Sequence, residues 1–269
     1  MATEQSQKLI TITSKAAEKI KEFMAEEKEA DILFWVGSAG SFDDRVKKIT
    51  RSFVKILNTA GVNFGVLGTE ESSSGDAAKR AGNEFLFQMQ AMTNIEVMNA
   101  YNIKQIVTTC PHSYNTIKNE YPSLGGNYTV QHHTEFISGL IAEGKLIITG
   151  DLKGKEIVYH DPCYLGRANG VYDSPRSLIS SLGVDVVEMK RSKSRSFCCG
   201  AGGSQMFKDA ERGDKEINID RTEEALALKP DIIATGCPFC NTMMTDGVKA
   251  VDDGAAQVLD IAELIANNI

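Results

Sequence analysis

From Ile32 onward the chain alternates short apolar runs with stretches whose apolar residues recur at helical spacing. Ile32 to Val36 predicts a buried strand ended by Gly37, and Arg45 to Ala60 an amphipathic helix. Phe64 to Leu67 predicts a second strand, Ala77 to Tyr101 one long helix, and Ile103 to Thr108 a third strand, with a helix after Pro111. The second half repeats the scheme. Strands are expected at Glu156 to Tyr159, Val184 to Met189 and Ile232 to Thr235, and helices at Ser174 to Leu182 and Ile217 to Ala227. Such alternation with short loops predicts an α/β fold, with parallel sheets and helices on their faces. Ahead of it, residues 1–30 form an extension. There Ser14 can cap an amphipathic helix carrying Ile20, Phe23 and Met24, and Glu26 to Glu29 make a solvated end.

The two halves are copies. Shifting Cys163, Cys198 and Cys199 back by 125 positions gives Ser38, Ser73 and Ser74. Shifting Cys237 and Cys240 back by 127 gives Cys110 and Ser113. Ser73-Ser74-Gly75 mirrors Cys198-Cys199-Gly200, and Cys110-Pro111-His112-Ser113 mirrors Cys237-Pro238-Phe239-Cys240. This is an internal duplication. It predicts two lobes, residues 31–150 and 151–269, each a small parallel sheet flanked by helices. Every lost cysteine in the first lobe is serine, its closest isostere, which fits directed replacement of a site as well as natural loss.

Composition narrows the classes. With 42% hydrophobic and 24% charged residues, the 269-residue chain is of ordinary globular make-up. A net charge of −7 argues against general nucleic-acid binding. Arg191, Lys193 and Arg195 form a small basic stretch, either a solvated loop or a docking patch for an acidic redox partner. No run approaches the roughly 20 apolar residues that span a bilayer. The polar stretch Met1 to Lys8 has no signal-peptide core. A cytoplasmic location is therefore expected, where thiols stay reduced and a set of cysteines points to metal or redox chemistry.

Five cysteines carry that chemistry: Cys163, the pair Cys198-Cys199, and Cys237 with Cys240. Each group lies just past an expected strand, so all three reach the edge of a parallel sheet where ligands bind. Gly200, Gly202 and Gly203 allow close backbone approach there. Thiolate is a soft ligand for iron–sulfur clusters, zinc or copper(I). Zinc takes four ligands, as do ordinary iron–sulfur cubanes. Five cysteines with two adjacent favour an iron–sulfur centre, with zinc the alternative. His160, three residues before Cys163, is a candidate for hydrogen bonding to a sulfur, for relaying a proton, or for a strand-end cap. His112 sits inside the degenerate Cys-x-x-Ser, either supporting the ligand loop or merely exposed, and His132 and His133 are read as polar packing near a helix start. Arg167 could balance cluster charge or make a surface ion pair.

The motif Cys163-x34-Cys198-Cys199-Gly200-x36-Cys237-x2-Cys240 resembles the cysteine-rich, or CCG, domain, which occurs twice in one component of heterodisulfide reductase and in related iron–sulfur oxidoreductases. The segments His160 to Arg167, Phe197 to Gly203 and Cys237 to Cys240 carry the likeness. Phe34 to Asp43 resembles the family's opening with serine for cysteine. The resemblance implies a noncubane [4Fe–4S] cluster held by Cys163, Cys198, Cys199, Cys237 and Cys240. It further implies an iron–sulfur oxidoreductase subunit that transfers electrons between a partner redox protein and a thiol, disulfide or quinone acceptor.

With Cys110 alone left in the first lobe, that lobe is expected to fold without a cluster. One cluster at most puts disulfide cleavage between two clusters in doubt. A heterodisulfide reductase-like catalytic subunit and a metal-stabilised assembly module remain alternatives. The chain carries no flavin or ferredoxin motif of its own. The expected electron donor is therefore a ferredoxin-like iron–sulfur subunit or a flavoprotein, and the chain could associate peripherally with a membrane-bound redox complex.

Overall fold

The computed structural model describes residues 30–209 and 213–269. The amphipathic helix expected near Ser14 lies outside the described residues. The first sheet contains β1 (Ile32–Trp35), β2 (Phe64–Gly65), β3 (Gln105–Thr108) and β4 (Thr129–His132), in the order β2-β1-β3-β4. The second contains β5 (Ile157–Tyr159), β6 (Val186–Val187), β7 (Ile232–Thr235) and β8 (Gln257–Asp260), in the equivalent order β6-β5-β7-β8. Every pairing is parallel. The fold is α/β in two duplicated lobes.

The helices of the first lobe are α1 (Gly37–Phe42), α2 (Val46–Thr59), α3 (Asp76–Arg80), α4 (Glu84–Ala100), α5 (Pro111–Asn115) and α6 (His133–Ala142). Those of the second are α7 (Gly166–Asn169), α8 (Asp173–Ser180), α9 (Ile217–Leu226), α10 (Pro238–Asp252) and α11 (Ile261–Ala266). Among the described residues, no helix is long and apolar enough to cross a membrane.

Strand periodicity sorts the apolar side chains into layers. Ile32 and Phe34 of β1 point to one face, and Leu33 and Trp35 to the other. The first face shares a single core with Ile157 and Tyr159 of β5, filled by Phe53 and Ile56 of α2, Ile137 of α6, Leu178 of α8 and Ile265 of α11. Helices thus lie between the sheets and pack on both. Leu33, Trp35 and Ile106 face an outer layer with Phe87 and Ile95 of α4. Val158, Ile233 and Val258 face the opposite outer layer with Ala225 of α9 and Met244 of α10. Arg45, just before α2, ties the lobes by donating to both carboxylate oxygens of Glu263 (2.9 and 2.8 Å) and to the Val258 carbonyl (2.7 Å).

Three local expectations change. The long helix expected from Ala77 to Tyr101 is broken into α3 and α4. Gly82 takes φ +84°, and the Asn83 side chain then caps α4 by accepting from the Leu86 N–H at 3.0 Å. The second strand of each lobe pairs over only two residues. The fourth strands, β4 and β8, follow no apolar run, because only Val130 in one and Val258 with Leu259 in the other supply apolar side chains.

Candidate metal centre

The cysteines sit where strands give way to helices. Cys163 follows β5, and Cys198-Cys199 lie in the loop beyond β6. Cys237 is the N-cap of α10, with Pro238 at its first helical position and Cys240 in its first turn. The three segments meet. The Cys199 and Cys240 sulfurs are 3.3 Å apart, and Cys163 beside Cys198 and Cys237 beside Cys240 are near enough for their charges to interact. A ring nitrogen of His160 lies within 4.8 Å of both Cys199 and Cys240 Sγ. Cys199, Cys237 and Cys240 are buried, and Ala201, Met206, Phe239 and Met243 pack around them.

Backbone geometry supports the arrangement. Gly200 has φ +90°, and its N–H donates to Cys198 Sγ at 3.2 Å. A Cβ there would come within 3.2 Å of Ile217 Cβ, so both conformation and space call for glycine.

Five packed thiols cannot all ionise together. Hydrogen bonds from Cys163 and Cys199 hold Cys198 down to about 2. Burial pushes Cys237 up, but hydrogen bonds from Cys240 and His112 outweigh it and bring it to about 5. The donors Cys163, Cys199 and Cys240 are raised in consequence. A soft metal centre that replaces those protons would relieve the competition. Five thiols brought together, three of them buried in a mostly apolar shell, fit an iron–sulfur group.

The other singled-out residues have mixed fates. His160 is buried, and its Nδ1 accepts from Arg221 Nε at 3.1 Å. Burial, and then the Arg221 charge, lower His160 to about 3, so it is a neutral ring beside the sulfurs and not only a strand cap. Among the described residues Arg167 has no ion pair; it donates to the Ser196 carbonyl at 2.7 Å, bracing the loop before Cys198. Arg191 is bound by Asp220 and Glu224 and stacks 3.8 Å from the Phe197 ring centroid. The basic stretch is thus partly neutralised. His132 and His133 are buried packing groups, linked to Asp260.

In the first lobe the serines also converge. Ser38, Ser73, Ser74, Ser113 and Cys110 line one cleft of about 630 Å³, counting its open mouth. Its far wall is Ala201, Met206, Phe207, Pro238 and Phe239 of the second lobe. Burial pushes the Cys110 thiol up to about 12. Glu71, absent from the sequence reading, accepts from the N–H groups of Val36 (3.0 Å) and Gly37 (2.6 Å) at the start of α1. Its counterpart in the second lobe is Ser196, so an unmatched acid in the duplication was the signal that could have found it.

Comparison with known proteins agrees with this geometry. The family model for the cysteine-rich domain, CCG, matches residues 32–118 and again 157–245. An EtfAB:quinone oxidoreductase of Syntrophomonas wolfei is 47% identical over 245 residues, covering 88% of this chain and 34% of that protein. The probable iron-sulfur-binding oxidoreductase FadF of Bacillus subtilis is 48% identical over 252 residues, covering 93% and 36%. A component of the dihydromethanophenazine:CoB–CoM heterodisulfide reductase of Methanosarcina barkeri is 33% identical over 251 residues, covering 89% and 59%. The chain thus spans about a third of the length of the first two relatives. In fold alone, a crystal structure of a hypothetical protein from Helicobacter pylori aligns over 96% of this chain and 55% of that one, with TM-score 0.56 and 8% identity. With five cysteines gathered from one repeat and their counterparts, four serines and Cys110, gathered from the other, the chain belongs to the cysteine-rich CCG family and carries its domain twice.

Proposed function

We propose that the chain is an iron–sulfur electron-transfer module of an oxidoreductase. One noncubane [4Fe–4S] cluster would be held by Cys163, Cys198, Cys199, Cys237 and Cys240. The observation that carries this reading is the convergence of five thiols from three loops, three of them buried in one apolar shell, with the matching place in the first lobe offering mostly hydroxyls instead. Such a group, when bound, supplies reversible electron transfer. The protein's part is to deprotonate and orient the thiols, and to exclude water with Met206, Phe239 and Met243. Gly200 and His160 border the sulfurs.

The named relatives support a redox role, and their partners suggest the donor and acceptor. A flavoprotein or ferredoxin-like donor would feed the cluster, and a thiol, disulfide or quinone would accept. Association with a membrane-bound complex would run through such a partner, and we place the module on the cytoplasmic side. The test is anaerobic purification with iron, sulfide and zinc analysis. About four irons with matching sulfide per chain are expected; stoichiometric zinc without sulfide overturns the reading.

A further inference from the structure

Positive charge follows the cysteines. In the register of the duplication, Arg167, Lys193 and Arg195 of the second lobe match Phe42, Gly68 and Glu70 of the first. The lobe with five cysteines thus carries three cations that the lobe with serines lacks. All three are exposed, in a chain whose net charge is −7. Among the described residues, none of the three has an ion pair, whereas neighbouring Arg191 is bound by Asp220 and Glu224. At the lobe boundary, His112 is buried, not exposed, with Nδ1 2.9 Å from Asp76, and Arg80 is held by Asp76 and Glu120. Neither belongs to the exposed set.

The three cations are mounted on the loops that carry the outermost thiols. Cys163 and Cys198 are half-buried, whereas Cys199, Cys237 and Cys240 are buried. Arg167 lies in α7, which is joined to the first of these loops by the Ala168 N–H donating to the Cys163 carbonyl at 3.0 Å. Its guanidinium reaches the Ser196 carbonyl, two residues before Cys198, at 2.7 Å. Lys193 to Arg195 form one short helical turn whose C-cap is Ser196. Asp161 fastens that turn to the Cys163 loop. Its carboxylate accepts from the Lys193 N–H at 2.8 Å, and its carbonyl from Ser196 Oγ at 3.0 Å. Asp161 and Glu188 are themselves held by Arg176, so these acids are already paired. From Cys163 to Gly203, no large apolar side chain is exposed.

We propose that Arg167, Lys193 and Arg195 form the docking face for the electron donor, and that this donor is a small protein carrier with carboxylates around its redox group. This rests on the reading of Cys163 and Cys198 as cluster ligands. The carrier loses one electron and the centre behind those two thiols gains it; no bond forms or breaks. Opposite charges steer the carrier to the place where the thiol set lies nearest to solvent. Fixed cations lose little freedom on contact. A polar face without exposed apolar side chains suits an encounter that must also come apart. An anionic lipid surface fits less well. A chain of net charge −7 is repelled by it everywhere but at this small face, where no exposed apolar side chain stands ready to insert.

The test uses the full chain, purified anaerobically and analysed for iron and sulfide. The probe is a small acidic [2Fe–2S] ferredoxin, and its association is followed by surface plasmon resonance at low and high salt. Wild type should bind at low salt and lose that binding as salt rises. Lys193→Glu combined with Arg195→Glu reverses two exposed charges and leaves Arg167 bracing the cysteine loop. We expect its iron content to be unchanged and its association rate at low salt to fall roughly tenfold or more, with the difference vanishing at high salt. If that variant loses iron, Lys193→Gln combined with Arg195→Gln decides by the same association measurement. An iron-replete variant that associates like wild type, or a wild type with no affinity for the ferredoxin, overturns the docking face and leaves the cluster reading intact. Binding of wild type, but not of the variant, to vesicles of phosphatidylcholine and phosphatidylserine in place of the ferredoxin assigns the face to a membrane and overturns the proposal. A wild-type chain without iron and sulfide overturns the ligand reading and this proposal with it.

Discussion

His132 and Asp260 hold the same place in the two lobes, and His133 joins them. Each is the last residue of a fourth strand and the N-cap of the next helix, within a capping box completed by Glu135 or Glu263. His133 Nδ1 lies 3.2 Å from His132 Nε2, and His133 Nε2 lies 2.9 Å from Asp260 Oδ1. His133 and Asp260 are fully buried. Two equivalent helix starts, one from each lobe, are thereby tied together inside the protein.

That tie has a measurable worth. Asp260→Ala removes a cap that accepts from the Ala262 N–H at 2.9 Å and leaves His133 without its carboxylate. A stability loss of about 2–4 kcal/mol is expected from the two effects. Urea denaturation of the variant checks it; a midpoint equal to wild type would show that the link contributes nothing.

Substitutions among the six cysteines should separate by position. Cys199→Ser or Cys240→Ser should strip most of the iron, because each sulfur is buried inside the thiol set. Cys110→Ser should keep it, since Cys110 belongs to the first-lobe cleft with four serines. Iron counts on the three variants make the comparison, and iron loss in Cys110→Ser would assign it to the centre.

Gly200→Ala should weaken metal retention. The residue sits at φ +90°, where an L side chain costs about 1–2 kcal/mol, and the added methyl crowds Ile217. Relief of either strain pulls its N–H away from Cys198 Sγ. The expected readout is faster loss of iron to a chelator than in wild type.

Glu71 should give the folded state a pH dependence of its own. Burial raises it to about 7 from an unperturbed 4.5, against the lowering effect of the Val36 and Gly37 N–H groups. The native state then holds a proton that the unfolded chain has released between those values. Its contribution to stability therefore falls as pH rises from about 4.5 to about 7, by on the order of 3 kcal/mol. Glu71→Gln should flatten that part of the wild-type profile, measured as denaturation midpoint against pH. Parallel profiles for the two proteins would exclude it.

Glu71 also bears on restoring the first centre. Converting Ser38, Ser73, Ser74 and Ser113 to cysteine supplies thiols but leaves an acid on the N–H groups of Val36 and Gly37 beside them. Iron per chain should rise toward double only when Glu71→Ser, the second-lobe residue, is added. A doubling with the four cysteines alone would show that Glu71 is no obstacle.

Much of this was legible in the sequence for identifiable reasons. Buried parallel strands such as Ile32–Trp35 and Ile232–Thr235 write themselves as apolar runs, and the duplicated cysteine spacing marks which loops must meet. β4 and β8 were not legible, because a strand held by pairing to β3 or β7 needs only one or two apolar side chains. The Ala77 to Tyr101 helix was overread because apolar residues continue through Gly82 and Asn83, whose backbone preferences break it. The packing of His112 against Phe239 across the lobe boundary was hidden because each lobe was read against its own motif. It left one trace, a histidine where the copy has Phe239.

The helices between the two sheets bear on how such a protein could change. Had each repeat folded around its own core, a repeat stripped of its metal would have been free to unfold by itself. Here Phe34 and Phe53 of the stripped repeat are packed in the same apolar interior as Tyr159 and Leu178 of the intact one. Neither half can open without exposing the other's interior. The repeat that carries serines is held in shape by its neighbour, so its loops can vary at the boundary without the chain losing its fold.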